Sequence, residues 1–226
     1  MSKRNSKNNF IEMVTHQLRT PLSTVQSSID LLELYIQKGN KARQLQILNK
    51  VRKGLSELRK IIDQSTLLYK SETNKVDVIK KKVYLRQLIN DIIESVITDA
   101  SDKHLINVVI ENNAETVNTD EFILKEILLN LLANAIKYSP EGGQIKIAAY
   151  MRGNNVVLSV KDEGIGIPSS ETDKIFDPFY RCENAGEIEG AGLGLSIVRQ
   201  LAGILRAEIE IDSKVNKGTE FKVILL

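Results

Sequence analysis

Thr15-His16-Gln17-Leu18-Arg19-Thr20-Pro21-Leu22 sets a histidine inside an amphipathic helical pattern. Apolar residues Ile11, Val14, Leu18, Val25, Ile29, Leu32 and Ile36 recur at steps of three and four, with longer steps made up of these, which marks one buried helical face. His16 stands two positions from both Val14 and Leu18, so it points away from that face, among hydroxyl and basic neighbours. The pattern predicts one long helix over residues 5–38, with Pro21 tolerated as a local kink. Lys38-Gly39-Asn40-Lys41 reads as a turn. A second helix follows over 41–70, where Leu48, Leu55, Ile62 and Tyr69 repeat every seven residues and Val51 and Leu58 fill the other seam position. Two such helices cannot bury their stripes against each other alone. A four-helix bundle formed by a homodimer is the economical solution.

The chain has 226 residues, enough for one large domain or two modest ones. Its one cysteine, Cys182, excludes an internal disulfide and a Cys-rich metal site, and fits a reducing compartment. No apolar run approaches the roughly 20 residues of a membrane span. Residues 1–10 lack the apolar stretch of a signal peptide. These features lead us to expect a cytoplasmic protein, or the cytoplasmic portion of a membrane-anchored parent. Net charge is +2, but residues 1–70 hold 13 Lys/Arg against 5 Asp/Glu and the remainder 18 against 24. A basic helix pair is either a solvated face or a docking surface for an acidic partner. Nucleic acid is not expected, because no basic run is interleaved with aromatics.

Ser71-Glu72-Thr73-Asn74 reads as a polar hinge, which divides the chain into 1–72 and 73–226. Beyond it the pattern predicts a strand over Val76–Val83, a helix over Leu85–Ala100 and a strand over Ile106–Glu111. An apolar helix runs from Asp120 to near Tyr138. Ile145–Met151 and Val156–Val160 form a hairpin across Gly153-Asn154-Asn155. A helix covers Leu193–Leu205, and Ile209–Ile211 with Phe221–Leu225 closes the chain. Helices with mostly antiparallel strands in this order predict an α/β sandwich, one sheet covered by helices on one face, after an α-helical hairpin: an α+β chain.

Four motifs fall in order in the second part. In Asn130-Leu-Leu-Ala-Asn134-Ala-Ile-Lys137-Tyr138-Ser139, Asn130 and Asn134 are four apart on one helix and Lys137 is three further, so all three share a side. Two neutral oxygen donors and an ammonium suit a magnesium-bound triphosphate. In Asp162-Glu163-Gly164-Ile165-Gly166-Ile167-Pro168, a carboxylate at a strand end accepts an amino group, and Gly164 and Gly166 let the backbone approach a flat ring. Ile175-Phe176-Asp177-Pro178-Phe179-Tyr180-Arg181 anchors a polar segment, Cys182–Glu189, suited to a lid, with Arg181 placed to reach a γ-phosphate. Gly190-Ala191-Gly192-Leu193-Gly194-Leu195-Ser196 opens a helix whose free N–H groups suit phosphate oxygens. Asn216-Lys217-Gly218-Thr219 in the last hairpin brings Thr219 to the same set. There is no G-x-x-x-x-G-K-[ST], no G-x-G-x-x-G and no H-E-x-x-H, which sets aside P-loop, Rossmann and zinc readings. His104, before a strand, reads as structural or surface.

Together these boxes resemble the transmitter core of two-component sensor histidine kinases, over about residues 8–226. The resemblance implies a dimerising phosphotransfer hairpin followed by a Bergerat-type ATP-binding domain of the GHKL superfamily, with ATP and Mg2+ bound and a response regulator receiver domain as partner. His16 matches the phosphorylated histidine, and Thr20 the position linked with dephosphorylating the partner. Asn134 matches the magnesium-binding asparagine, with Asn130 beside it. Lys137, Tyr138, Asp162, Gly164, Gly166, Gly190, Gly192, Leu193 and Gly194 fall in the nucleotide boxes. One departure stands out. Most members of the family have Glu or Asp directly after the histidine, and this chain has Gln17, which can hold the imidazole tautomer but cannot take its proton. GHKL ATPases of the chaperone and topoisomerase kind carry a Glu base where Asn130 stands, which argues against water activation here.

Overall fold

The computed structural model describes residues 2–72, 78–96, 103–186, 188 and 190–226, and within the first 72 the side chains of 11–66. The chain divides into two compact units, Met1–Tyr69 and Lys70–Leu226.

The first unit is an antiparallel pair, α1 (Ser2–Gln37) and α2 (Lys41–Glu72). Gly39 turns the chain with φ at 67°. Asn40 caps α2 by accepting the Arg43 N–H at 3.1 Å on its side chain. The Gln44 amide donates to the Tyr35 carbonyl at 2.9 Å and fixes the top of the pair. Val14, Leu18, Pro21, Val25, Ser28, Leu32 and Tyr35 of α1 are buried or half-buried, as are Gln44, Ile47, Val51, Gly54, Leu58 and Ile61 of α2. Both sets alternate steps of three and four, a heptad seam. Gly54 sits where the helices close on each other: a Cβ there would lie 2.6 Å from Val25 Cγ2 and 3.5 Å from the Pro21 carbonyl oxygen. Glycine in a helix interior costs about 1 kcal/mol relative to alanine, and here it admits the Pro21 segment.

The expected single face of α1 is in fact two stripes. Val14, Leu18, Val25 and Leu32 turn toward α2, while Ile11, Ile29 and Ile36 stay exposed, with Leu22 beside them. On α2, Val51 and Leu58 turn inward and Leu48, Leu55 and Ile62 outward; the Tyr69 side chain lies outside the described ones. Ser71 and Glu72 finish α2 instead of forming a hinge, and Thr73 and Asn74 fall outside the described residues.

The second unit holds β1 (Lys81–Tyr84), α3 (Leu85–Val96), β2 (His104–Ile110), β3 (Thr116–Thr119), α4 (Glu121–Lys137), β4 (Gly143–Arg152), β5 (Asn155–Lys161), α5 (Gly194–Leu205), β6 (Glu208–Lys214) and β7 (Gly218–Leu225). Five strands form one sheet in the order β2-β4-β5-β7-β6. The pairs are antiparallel except β2 with β4. β1 and β3 pair antiparallel in a separate ribbon, Lys81 opposite Thr119. β3 was not expected, since four polar-rich residues carry no alternation to read. The strand expected over Val76–Val83 begins only at Lys81, with residues 76 and 77 outside the described ones, and α3 is described only to Val96.

Alternation decides which sheet face is covered. Ile145, Ile147, Ala149, Leu158, Val160, Phe221 and Val223 are buried, and they share one face by register. Ile89 and Ile92 of α3 and Leu128 and Leu132 of α4 meet Ile147 and Val160 around one small void, so the helices lie on that face. Leu201, Ala202 and Leu205 of α5 are also buried. The other face carries Arg152 paired with Glu210 at 2.7 Å and Lys222 with Glu220 at 3.4 Å. Asp120 caps α4, accepting Ile123 N–H at 3.0 Å on Oδ1, and takes Ile79 N–H at 2.8 Å on Oδ2, tying the entering chain to the domain.

Candidate functional site

In the first unit His16, Arg19 and Thr20 are exposed on α1, and Gln17 is half-buried. Thr15 donates its hydroxyl to the Ile11 carbonyl at 2.8 Å, so that proton is spent on the helix. Pro21 has no N–H, and the helical bond it would give ends on the carbonyl of Gln17, one residue past His16. The helix, continuous through Pro21, therefore lacks one backbone bond beside an accessible imidazole.

In the second unit α4 ends against the loop that follows β5. The Tyr138 carbonyl accepts Ile165 N–H at 3.0 Å. A cavity of about 570 Å³, including its open mouth, lies there. Asn134, Tyr138, Asp162, Gly166, Arg181 and Thr219 line it, six of the residues expected from the sequence. Asp162 is its polar fixed point. Its Oδ1 accepts Gly164 N–H at 2.8 Å and Thr219 N–H at 3.2 Å. That leaves Oδ2 for a donor in the cavity. Burial pushes this carboxyl above the ordinary aspartate range, against the pull of those two N–H groups. Gly166, with φ at 66°, packs its backbone on the Lys214 carbonyl, where a side chain would overlap.

The remaining expected residues lie beside the cavity. Asn130 is buried, and its amide N–H donates to the Glu126 carbonyl at 2.8 Å. A Cβ on Gly194 would be 3.2 Å from Asn130 Oδ1 and 3.7 Å from Asn134 Oδ1, so both amides meet the first residue of α5. Two neutral oxygens at a helix start fit a magnesium ion that draws its other ligands from phosphates and water. No carboxylate, His or Cys cluster able to hold a metal by itself occurs among the described residues. Lys137 Nζ donates to Tyr138 Oη at 3.0 Å and packs against the Gly190 backbone. Burial raises the Tyr138 hydroxyl, and the nearby Arg181 charge lowers it. Leu193 is buried and stands as the N-cap residue of α5; Gly192 closes against Phe179, whose N–H donates to the Gly192 carbonyl at 2.8 Å.

Arg181 does more locally than expected. Its Nη2 donates to the Gly186 carbonyl at 2.9 Å and the Ile188 carbonyl at 2.6 Å, bracing the backbone that follows it. Glu171 ties down the chain on either side of Cys182: its Oε2 accepts the Tyr180 hydroxyl at 2.8 Å and Glu183 N–H at 3.3 Å. The Tyr180 hydroxyl keeps the Glu171 carboxyl below its ordinary range and is itself pushed up to about 12. Burial, then the bond to Glu171, pushes the Cys182 thiol up to about 11, so it stays protonated in the cavity wall. Asn184 donates to the Gly166 carbonyl at 2.9 Å and joins the short turn at Glu183–Ala185 to the glycine loop. Neither Glu171 nor Asn184 was legible in the sequence, since both are polar residues in irregular chain whose partners are backbone groups or distant side chains. His104, expected to be structural or on the surface, bonds through Nε2 to the Ser139 carbonyl at 2.9 Å.

Comparison with known proteins follows this division. Residues 6–74 match the His Kinase A (phospho-acceptor) domain, and residues 119–226 match the Histidine kinase-, DNA gyrase B-, and HSP90-like ATPase family. The chain is 30% identical over 227 residues to the sensor histidine kinase AtsR of Burkholderia thailandensis, covering 97% of this chain and 37% of that protein's length. The histidine kinase AdeS of Acinetobacter baumannii shares the fold with a TM-score of 0.70 at 22% identity, over 93% of this chain and 96% of AdeS. ThkA, solved in complex with the response regulator protein TrrA, shares it with a TM-score of 0.69 at 22% identity, over 99% of this chain and 64% of that one. With a phosphoacceptor hairpin and a Bergerat-type ATPase domain in order along it, this chain, which spans between a third and three fifths of the length of such relatives, belongs to the sensor histidine kinases and matches their transmitter core.

Proposed function

We propose that this chain binds Mg-ATP in the Asp162 cavity, transfers the γ-phosphoryl group to His16, and passes it on to an aspartate of a response regulator receiver domain. It divides its work between residues 1–72, which dimerise and carry His16, and residues 73–226, which bind the nucleotide. The observation that carries the reading is Asp162, buried, with Oδ1 held by two backbone amides and Oδ2 left for the cavity. That arrangement suits the exocyclic amino group of adenine. In the transfer, a ring nitrogen of His16 with a free lone pair attacks the γ-phosphorus. The N–P bond forms as the bond to the β,γ-bridging oxygen breaks, ADP leaves, and the remaining ring proton passes to a neighbouring base or to water. Magnesium, when bound, screens the phosphate charge. Asn134 and Asn130 would hold it, and the α5 start and Lys137 face the phosphates. Thr20, one turn from His16, suits the reverse task of positioning water at a phosphorylated partner.

The exposed Leu48, Leu55 and Ile62 stripe, with Ile11, Leu22, Ile29 and Ile36 of α1, supports a homodimeric four-helix bundle. ThkA was solved with a response regulator, and the basic balance of residues 1–70 here suits an acidic partner of that kind. Gln17 favours a second reading, a transmitter biased toward dephosphorylation. One experiment separates the two. Radiolabelled γ-phosphate should enter the unmodified chain, with a label stable to base and lost in acid, and His16→Ala should abolish it while keeping ATP binding. Label in His16→Ala would move the acceptor elsewhere. No label in the unmodified chain, with ATP still bound, would favour the second reading.

A further inference from the structure

Ser213 of β6 faces Thr219 of β7 in the strand register. Its hydroxyl has three neighbours: the Ile167 N–H at 2.8 Å, the Gly218 carbonyl at 3.1 Å and the Thr219 hydroxyl at 2.9 Å. Ile167 N–H can only donate, and the Gly218 carbonyl can only accept. A serine hydroxyl has one proton and two lone pairs. One assignment satisfies all three contacts. Ser213 gives its proton to Gly218 and receives the protons of Ile167 and Thr219. The Thr219 proton is then spent behind the cavity wall, and only lone pairs of its oxygen remain for the cavity that Thr219 lines. Asp162 beside it contributes Oδ2, also an acceptor. This part of the wall presents acceptors alone.

We propose that Ser213 is a positioning residue that sets base selectivity: it holds the Thr219 hydroxyl as an obligate acceptor, so the cavity takes 6-amino purines and rejects 6-oxo purines. The inference rests on the ATP-binding reading of the cavity. A 6-amino group brings two N–H donors to two acceptors. A 6-oxo purine brings an oxygen against them, and its single N1–H cannot pair with both, so buried lone pairs are left unpaired, which a site built for hydrogen bonding penalises heavily. Ser213 touches no substrate in this scheme; it acts through the proton of Thr219.

The test uses the full chain and two nucleotides that differ at purine position 6, Mg-ATP and Mg-ITP, with affinities from calorimetry. The unmodified chain should prefer ATP. Ser213→Ala frees the Thr219 proton to turn into the cavity, so the ATP-to-ITP preference should shrink by about fivefold, the scale of one neutral hydrogen bond. Ser213→Thr restores the hydroxyl and should restore the preference. Thr219→Val removes the acceptor and should weaken ATP more than ITP. An unchanged preference in a folded Ser213→Ala chain overturns the proposal, as does a Ser213→Thr chain that behaves like Ser213→Ala. Should Ser213→Ala melt early, equal losses of the two nucleotides in Thr219→Val overturn it. If the unmodified chain binds neither nucleotide, the ATP reading itself fails and the proposal goes with it.

Discussion

Gln17 holds the position beside His16 where a carboxylate would accept the imidazole proton. An amide oxygen can fix a tautomer but takes no proton at neutral pH. If proton removal limits the rate, Gln17→Glu raises autophosphorylation, by up to about 100-fold for a well-placed general base. If only orientation matters, Gln17→Glu changes little and Gln17→Ala lowers the rate. Initial rates of phosphoryl incorporation in the three proteins decide, and equal rates would mean that the position carries no chemistry. Asp162 offers a prediction about stability. Its folded-state pKa is raised by burial, so the native chain binds that proton more readily than the unfolded one. The ionised carboxylate therefore costs stability at neutral pH, and the contribution of Asp162 to the stability of the nucleotide-free chain rises as pH falls through the raised value toward the ordinary one, opposite in sign to that of Glu171, whose lowered carboxyl loses stability in acid. Asp162→Asn keeps an oxygen for the Gly164 and Thr219 N–H groups and removes the buried charge. It should melt no lower than the unmodified chain without nucleotide, yet bind ATP at least about tenfold more weakly, the loss of one charge-assisted hydrogen bond. A lower Tm with unchanged ATP affinity would reverse both halves of this expectation.

The helices of the first unit show what a stripe of apolar residues does and does not reveal. Period and length were plain in the sequence, because Leu and Ile at steps of three, four and seven leave little else for the chain to form. The split into two stripes was not, because Val25 and Ile29 are chemically alike and only packing separates them: one is buried against Gly54 and the other exposed. Gly54 itself carried no periodic signal. The outward stripe has a direct test. Leu55→Lys places a charge in the seam that a dimer would bury, while the residues facing the partner helix within one chain stay intact. Light scattering should find monomers at micromolar concentration where the unmodified chain is dimeric, with ATP binding unchanged; a persistent dimer would place the interface on another face. In the second unit α4 was legible because Asp120 caps it and its apolar residues are dense. β1 and β3 were blurred, being four residues each with polar content and a ribbon of their own.

At the scale of the whole chain, two units with separate cores predict separable behaviour. Residues 75–226 alone should be monomeric and bind ATP with the affinity of the full chain, and residues 1–72 alone should dimerise; an excised 75–226 that is unfolded by circular dichroism would make the units interdependent. The nucleotide boxes could be placed in the sequence because glycine pairs and amide spacing are local. The Thr219–Ser213 pairing could not, because it depends on the β6–β7 register, which brings residues from two strands together. The same register leaves β6 at one border of the sheet, with Glu208, Glu210 and Asp212 on one face. A border strand offers unpaired N–H and C=O groups to any similar strand in solution. Two copies joined there would bring these acidic rows together, and like charges set opposite one another repel. The strand thus resists runaway association, and neutralising Glu208 and Asp212 would cost the protein solubility before it cost any activity.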